Sequence, residues 1–186
     1  MKKYLIGLVI VGLAAAGCAK KEAATSEEKA KQNLIEGTVF LKQGDVKGAV
    51  ESFAAAIKTD PEYFEGYFML GETLVRLKQY PQAVSIMSNA ARQFPNNGLA
   101  FYLLAIAHEG AQQPMPAIAA ARHSVDLFNA SGDQQGQQRA MILLAALVQS
   151  AKQESEKQMV ENAAKDAAKA IPVAQAVPVS ANTLAH

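Results

Sequence analysis

Residues 37–61 read GTVFLKQGDVKGAVESFAAAIKTDP, and residues 71–95 read GETLVRLKQYPQAVSIMSNAARQFP. Laid one on the other, they pair Gly37 with Gly71, Phe40 with Leu74, Ala49 with Ala83, Phe53 with Met87, Ala56 with Ala90 and Pro61 with Pro95. Small residues return as small, large apolar as large apolar, and proline as proline, at a spacing of 34 residues. A fixed period of this length marks an array of helical hairpins, none able to bury its apolar face alone. Small side chains at Gly37, Ala49 and Ala56 let two antiparallel helices approach closely, and Phe40 and Phe53 fill the space around them. Pro61 has no amide hydrogen, so it is expected in the first turn of a helix and ends the one before. Asp60 is then placed to cap the next helix, and Asn96 or Asn97 the equivalent one after Pro95.

Working outward, Thr25 and Glu28 make a capping box for a first helix over about 26–42, and Gly44-Asp45 turns the chain into a second over about 46–58. The next hairpins are expected at about 62–77 with 81–93, and 97–112 with 115–128, with Pro81, Pro114 and Pro116 opening second helices. The stretch 129–132 breaks the pattern, and Ser131 with Gln134 is placed to cap a further helix. Met141, Ile142, Leu144, Ala145 and Val148 define its apolar stripe, expected to cover the exposed end of the last hairpin. Residues 153–170 are charged and alanine-rich, with Met159, Val160, Ala163 and Ala167 as a weak stripe. From Ile171 on there is no charged residue before the terminus, and 171–186 read as an extended or disordered tail.

The repeating set resembles the tetratricopeptide repeat. Counted from Ala30 and from Phe64, the residues named above fill that family's small, large, alanine and proline places. Tyr67 and Leu70 add two more in the second copy, where the first has Asn33 and Glu36. A third copy counted from Gly98 keeps Phe101, Leu104, Ala105 and Ala117, and departs at His108, Ala121, Ser124 and Asn129. The resemblance implies an all-α, right-handed superhelical array of about three hairpins (30–63, 64–97 and 98–131), closed by a capping helix within 130–170. It also implies a concave groove lined by the first helix of each hairpin. Its wall would comprise Leu34, Thr38 and Leu41, then Phe68, Glu72, Val75 and Arg76, then Tyr102, Ile106 and Glu109. Members that clamp a chaperone's C-terminal carboxylate use lysine, arginine and asparagine there, so the resemblance points away from that ligand. An apolar strip with Phe68 and Tyr102 suits a peptide with hydrophobic anchors. The alternatives are that these side chains pack against neighbouring repeats, or that the tail lies in its own groove.

The amino terminus carries a separate signal. Lys2 and Lys3 precede an apolar run from Tyr4 to Ala16, too short for the ~20 residues a spanning helix needs. A basic start, a short apolar core and small residues before Cys18 describe an export leader over 1–17. The ending Ala15-Ala16-Gly17-Cys18 resembles the bacterial lipobox, which implies lipid attachment at Cys18 and a spacer over 18–25. Cys18 is the single cysteine, so no internal disulfide forms. Two or more acyl chains give stable anchoring. Ala19, rather than aspartate, follows the cysteine, which favours the outer membrane, facing the periplasm.

Removal of 1–17 takes two cations and leaves 16 basic against 17 acidic residues. That balance offers no basic stripe for nucleic acid. There is no glycine-rich phosphate loop, GxSxG, HExxH or calcium-loop spacing, so no catalytic residue, metal or cofactor is assigned. His108, His123 and His186 sit at unrelated spacings, and His108 is expected to pack in the third hairpin's core. The reading is a lipid-anchored scaffold or adaptor that recruits another envelope protein. The alternatives are a small-ligand-binding or hydrolytic lipoprotein, and a self-associating structural protein.

Overall fold

The computed structural model describes residues 25–170. The expected leader, Cys18 and the tail from 171 lie outside the described residues. Seven helices follow in order: α1 (Ser26–Gln43), α2 (Val46–Thr59), α3 (Phe64–Arg76), α4 (Tyr80–Gln93), α5 (Gly98–Gly110), α6 (Pro114–Ser131) and α7 (Gln134–Ala170). Among the described residues there is no strand. α1 with α2, α3 with α4, and α5 with α6 form antiparallel hairpins. Thr25 and Glu28 close the predicted capping box on α1.

The first helices of successive hairpins touch one another: α1 meets α3, α3 meets α5, and α5 meets α7. The second helices α2, α4 and α6 do not meet each other. A stack in which one row is in contact and the other splayed must curve towards the first, so α1, α3, α5 and α7 form the inner, concave row.

Each hairpin is held by one close approach. A methyl group on Gly37 would lie 2.5 Å from the Phe53 ring, and one on Gly71 would strike the Met87 sulfur. Phe53 and Met87 are fully buried beneath these glycines. In the third hairpin both sides change together, Ala105 standing where Gly37 and Gly71 are and Ala121 where Phe53 and Met87 are. Both alanines are fully buried, so the helices of this hairpin meet through two small side chains. Ser124, in the place of Ala56 and Ala90, is fully buried and donates its hydroxyl to Gly98 O at 2.8 Å, so its polarity is satisfied. Burial raises the Tyr67 phenol above its ordinary range, opposed by a hydrogen bond with Gln93.

The hairpin turns also repeat at 34 residues. In the first, Gly44 is left-handed, its amide donating to Leu41 O and that of Asp45 to Phe40 O. The same two bonds recur at Lys78 and Gln79, and again at Gln112 and Gln113. This double bond pattern satisfies helix-end carbonyls, but it wants a left-handed residue. Lys78 and Gln112 adopt φ of 57° and 59° with a Cβ present. Lys78→Gly and Gln112→Gly are each expected to raise stability by about 0.5–1 kcal/mol, read by urea denaturation, and Gly44→Ala to lower it by about 1 kcal/mol.

Several sequence expectations are corrected. Pro61 lies in the turn before α3, not in its first turn, and Asp60 there accepts from the Glu62 amide at 3.0 Å without capping the helix. Of the two candidates expected to cap α5, it is Asn97 that does so, accepting from Leu99 and Ala100. With Asn129 where Pro61 and Pro95 break the chain, α6 runs on to Ser131, four residues longer than α4. Ser131 therefore ends α6, and Asp133 accepts from Gly136 at the start of α7. His108 is half-buried and bonded through Nδ1 to Gln113 Oε1 at 2.6 Å, not packed in the core.

The largest correction concerns α7. Its buried face carries Gly136, Ala140 and Leu147, with Leu143 and Leu144 half-buried beside them. Of the expected stripe only Leu144 is covered; Met141, Ile142, Ala145 and Val148 are exposed. Both sets have helical spacing, and α6 selects the face bearing small residues because it comes closer there. The charged segment 153–170 continues the same helix. At the other end, α1 shows Gln32, Ile35, Glu36 and Val39 to solvent. One repeat later those places are Gly66, Met69, Leu70 and Thr73, covered wholly or partly by the preceding hairpin.

Candidate functional site

The inner row carries every residue predicted for the groove: Leu34, Thr38 and Leu41 on α1, Phe68, Glu72, Val75 and Arg76 on α3, and Tyr102, Ile106 and Glu109 on α5. None is buried; Arg76 and Glu109 are exposed and the other eight are partly so. The apolar ones are backed by the core. Leu34, Leu41 and Val75 lean on the cluster around Phe53, Leu70 and Leu74. Phe68 and Ile106 lean on that around Tyr67, Met87 and Leu104. Phe68 also stacks at a tilt on Phe64, their ring centres 6.2 Å apart. Packing against neighbouring repeats therefore accounts for one side of these residues and leaves the other open.

The polar groups of the wall are largely spent within it. Thr38 donates its hydroxyl to Leu34 O one turn back, at 2.9 Å. Glu72 and Arg76 pair at 3.8 Å on the surface of α3, an exposed contact worth about 0.3–0.5 kcal/mol. Glu109 stands at the end of the row beside a cleft of about 460 Å³, whose lining includes Gln112, Pro114, Leu147, Ser150 and Glu154. What remains is an apolar trough with the Glu72–Arg76 pair and the exposed Glu109 at its rim, suited to burying side chains of an extended or helical segment.

A fourth row of this trough escaped the sequence reading. The buried positions Ala100, Leu104 and Ala107 of α5 recur as Gly136, Ala140 and Leu143 on α7, a step of 36 residues rather than 34. The longer α6 and the shorter connection after it account for the change. By that step Tyr102, Ile106 and Glu109 correspond to Gln138, Ile142 and Ala145, all exposed. The missing proline at 129 was the available signal. No set of three or more histidine, cysteine, aspartate or glutamate side chains among the described residues is placed to hold a metal ion. His108 is engaged with Gln113, and His123 packs edge-on against Phe101, with ring centres 4.3 Å apart.

Comparison with known proteins agrees with this geometry. Residues 40–107 match the tetratricopeptide repeat family. Among solved structures, the chain is similar to the TPR2B domain of yeast Sti1 in a pHsp70 complex, with TM-score 0.61 and 21% identity over 66% of this chain and 98% of that one. It is similar to PcrH in complex with the chaperone binding region of PopD, with TM-score 0.61 and 21% identity over 69% of this chain and 98% of that one. It is also similar to the first TPR of Spaghetti (RPAP3) bound to the HSP90 peptide SRMEEVD, with TM-score 0.60 and 18% identity over 69% and 97%. The chain thus folds as a helical repeat array of the tetratricopeptide type, with its family match centred on the second hairpin.

Proposed function

We propose that this protein is a non-enzymatic scaffold or adaptor of the cell envelope, anchored by lipid on Cys18 at the outer membrane and facing the periplasm. Its groove holds an apolar-anchored segment of another envelope protein. The observation that carries the groove reading is the half-exposed row of Leu34, Phe68 and Ile106, apolar outward and core-backed inward, with Tyr102 half-exposed among them. The fold's neighbours support a binding role, since their structures include bound peptides or partner segments. The chemistry of this wall differs from a cationic clamp, so a peptide whose recognition rests on its terminal carboxylate is not the expected ligand. The anchor rests on the leader and cysteine of the sequence.

The test is made in the protein's own cells. A photoreactive residue replacing Phe68 is expected to capture one specific envelope protein, and Cys18→Ser to release the chain from the membrane fraction. Capture of nothing but the chain's own residues 171–186 or another copy would overturn the adaptor reading. A membrane-bound Cys18→Ser chain would overturn the anchor.

A further inference from the structure

In each of the three hairpins an inner helix presents one face to a second helix running antiparallel to it. Gly37, Gly71 and Ala105 mark that face, and by the register of the buried positions Met141 marks it on α7. Among the described residues α7 has no second helix of its own. Met141 and Val148 stand 53% and 47% exposed along that side, Ile142 at 64% lies between it and the groove row, and Met159 and Val160 follow at 61% and 71%. Met159 follows Met141 by 18 residues, about five turns at 3.6 residues per turn, so the two pairs share one line of the helix. The side packed on α6 lies roughly opposite this line. From residue 152 to 167 every side chain of α7 is exposed, although a lone helical segment of this length is marginal in water.

We propose that a second copy of this chain supplies the missing helix, the two α7 helices pairing antiparallel about a two-fold axis near residues 150 and 151. Met141 and Ile142 of each copy then meet Met159 and Val160 of the other. The far half of α7, residues 153–170, has the length of the outer helices α4 and α6, which span 14 and 18 residues. The pairing sets a helix on the same side as in the three hairpins and in the same antiparallel sense, with Met141 where they carry glycine or alanine. The arrangement is isologous, each copy giving and receiving the same contact, and it closes at two. It keeps the bodies of the two copies apart, because each lies on the far side of its own α7. Charge permits it: residues 152–169, four lysines and four acids, lie against 132–149 of the other copy, where the charged residues are Asp133 and Arg139. The five exposed apolar side chains offer about 500 Å² per copy, so the pair buries about 1,000 Å², the lower bound of a specific interface. An area of that size belongs to a reversible dimer, not an obligate one.

The test uses the full chain with Cys18→Ser, in mild detergent, carrying Ile142→Cys and Met159→Cys. Within one copy these sulfurs are about 25 Å apart along the helix and cannot join. Mild oxidation is expected to give a covalent dimer, and Met159→Cys alone to give none, because its two copies lie far apart in this register. In sedimentation without oxidation, Val160→Lys is expected to shift the cysteine-free chain from dimer to monomer at unchanged helical circular dichroism. A chain that stays monomeric to ~1 mM overturns the proposal. So does a dimer that persists in Val160→Lys without the disulfide, which would place self-association in the groove instead. Met159 becoming more reactive to peroxide on deletion of 171–186, in a monomeric chain, would assign the face to the chain's own tail and overturn it too.

Discussion

Phe53→Ala is expected to cost about 3–5 kcal/mol, the range for deleting a fully buried aromatic side chain. The ring is 0% exposed and sits directly over Gly37, which has no side chain to take up the space. Small domains have about 5–15 kcal/mol in total, so this one change takes a large share. Urea denaturation followed by helical circular dichroism should show a sharply lowered midpoint. Phe53→Met is expected to cost less than about 1.5 kcal/mol, because Met87 fills the equivalent space over Gly71 in the second hairpin. Equal losses for the two variants would mean that the pairing of glycine with a large side chain is not what holds the hairpins.

Phe68→Ala with Tyr102→Ala is expected to weaken partner binding by at least ~30-fold, the effect of losing about 2 kcal/mol of anchor contact. The yield of cross-links from a photoreactive residue at Thr38, on the same wall but one hairpin away, reads that loss. Tyr102 belongs to neither core cluster, so its single variant should bind less while unfolding at nearly the wild-type midpoint. Phe68 is packed against Phe64 and the core beneath, and its variant should lose some stability as well. Undiminished capture in the double variant would remove these two rings from the binding surface.

The hairpins were legible in the sequence because the pairs that hold them are local in the repeat: Gly37 with Phe53 and Gly71 with Met87 are each 16 residues apart. The ten residues expected to line a groove all fall on α1, α3 and α5, since the repeat fixes which helix of each hairpin comes first. What was not legible depended on a single residue outside the pattern. Asn129 allowed α6 to extend and shifted the following register by two residues, which hid the fourth groove row at Gln138, Ile142 and Ala145. The face of α7 was misread because Met141, Ile142 and Val148 carry more apolar area than Gly136 and Ala140. Close packing against α6 rewarded small size over hydrophobicity, and periodicity alone does not rank the two.

Glu36 gives the array a direction of growth. Its place in the next two hairpins is taken by Leu70 and Leu104, both buried against the unit before. An array with apolar faces at both ends would add copies head to tail and, lacking a closing rotation, would lengthen into a fibre. A carboxylate at the centre of the leading face makes such addition costly, since a second molecule would have to strip its water without offering a partner. Ile35 and Val39 stand exposed beside it, on the same face of α1. Among the described residues, then, the array carries a charge at its leading face where the later units carry leucine, and head-to-tail addition through that face is disfavoured.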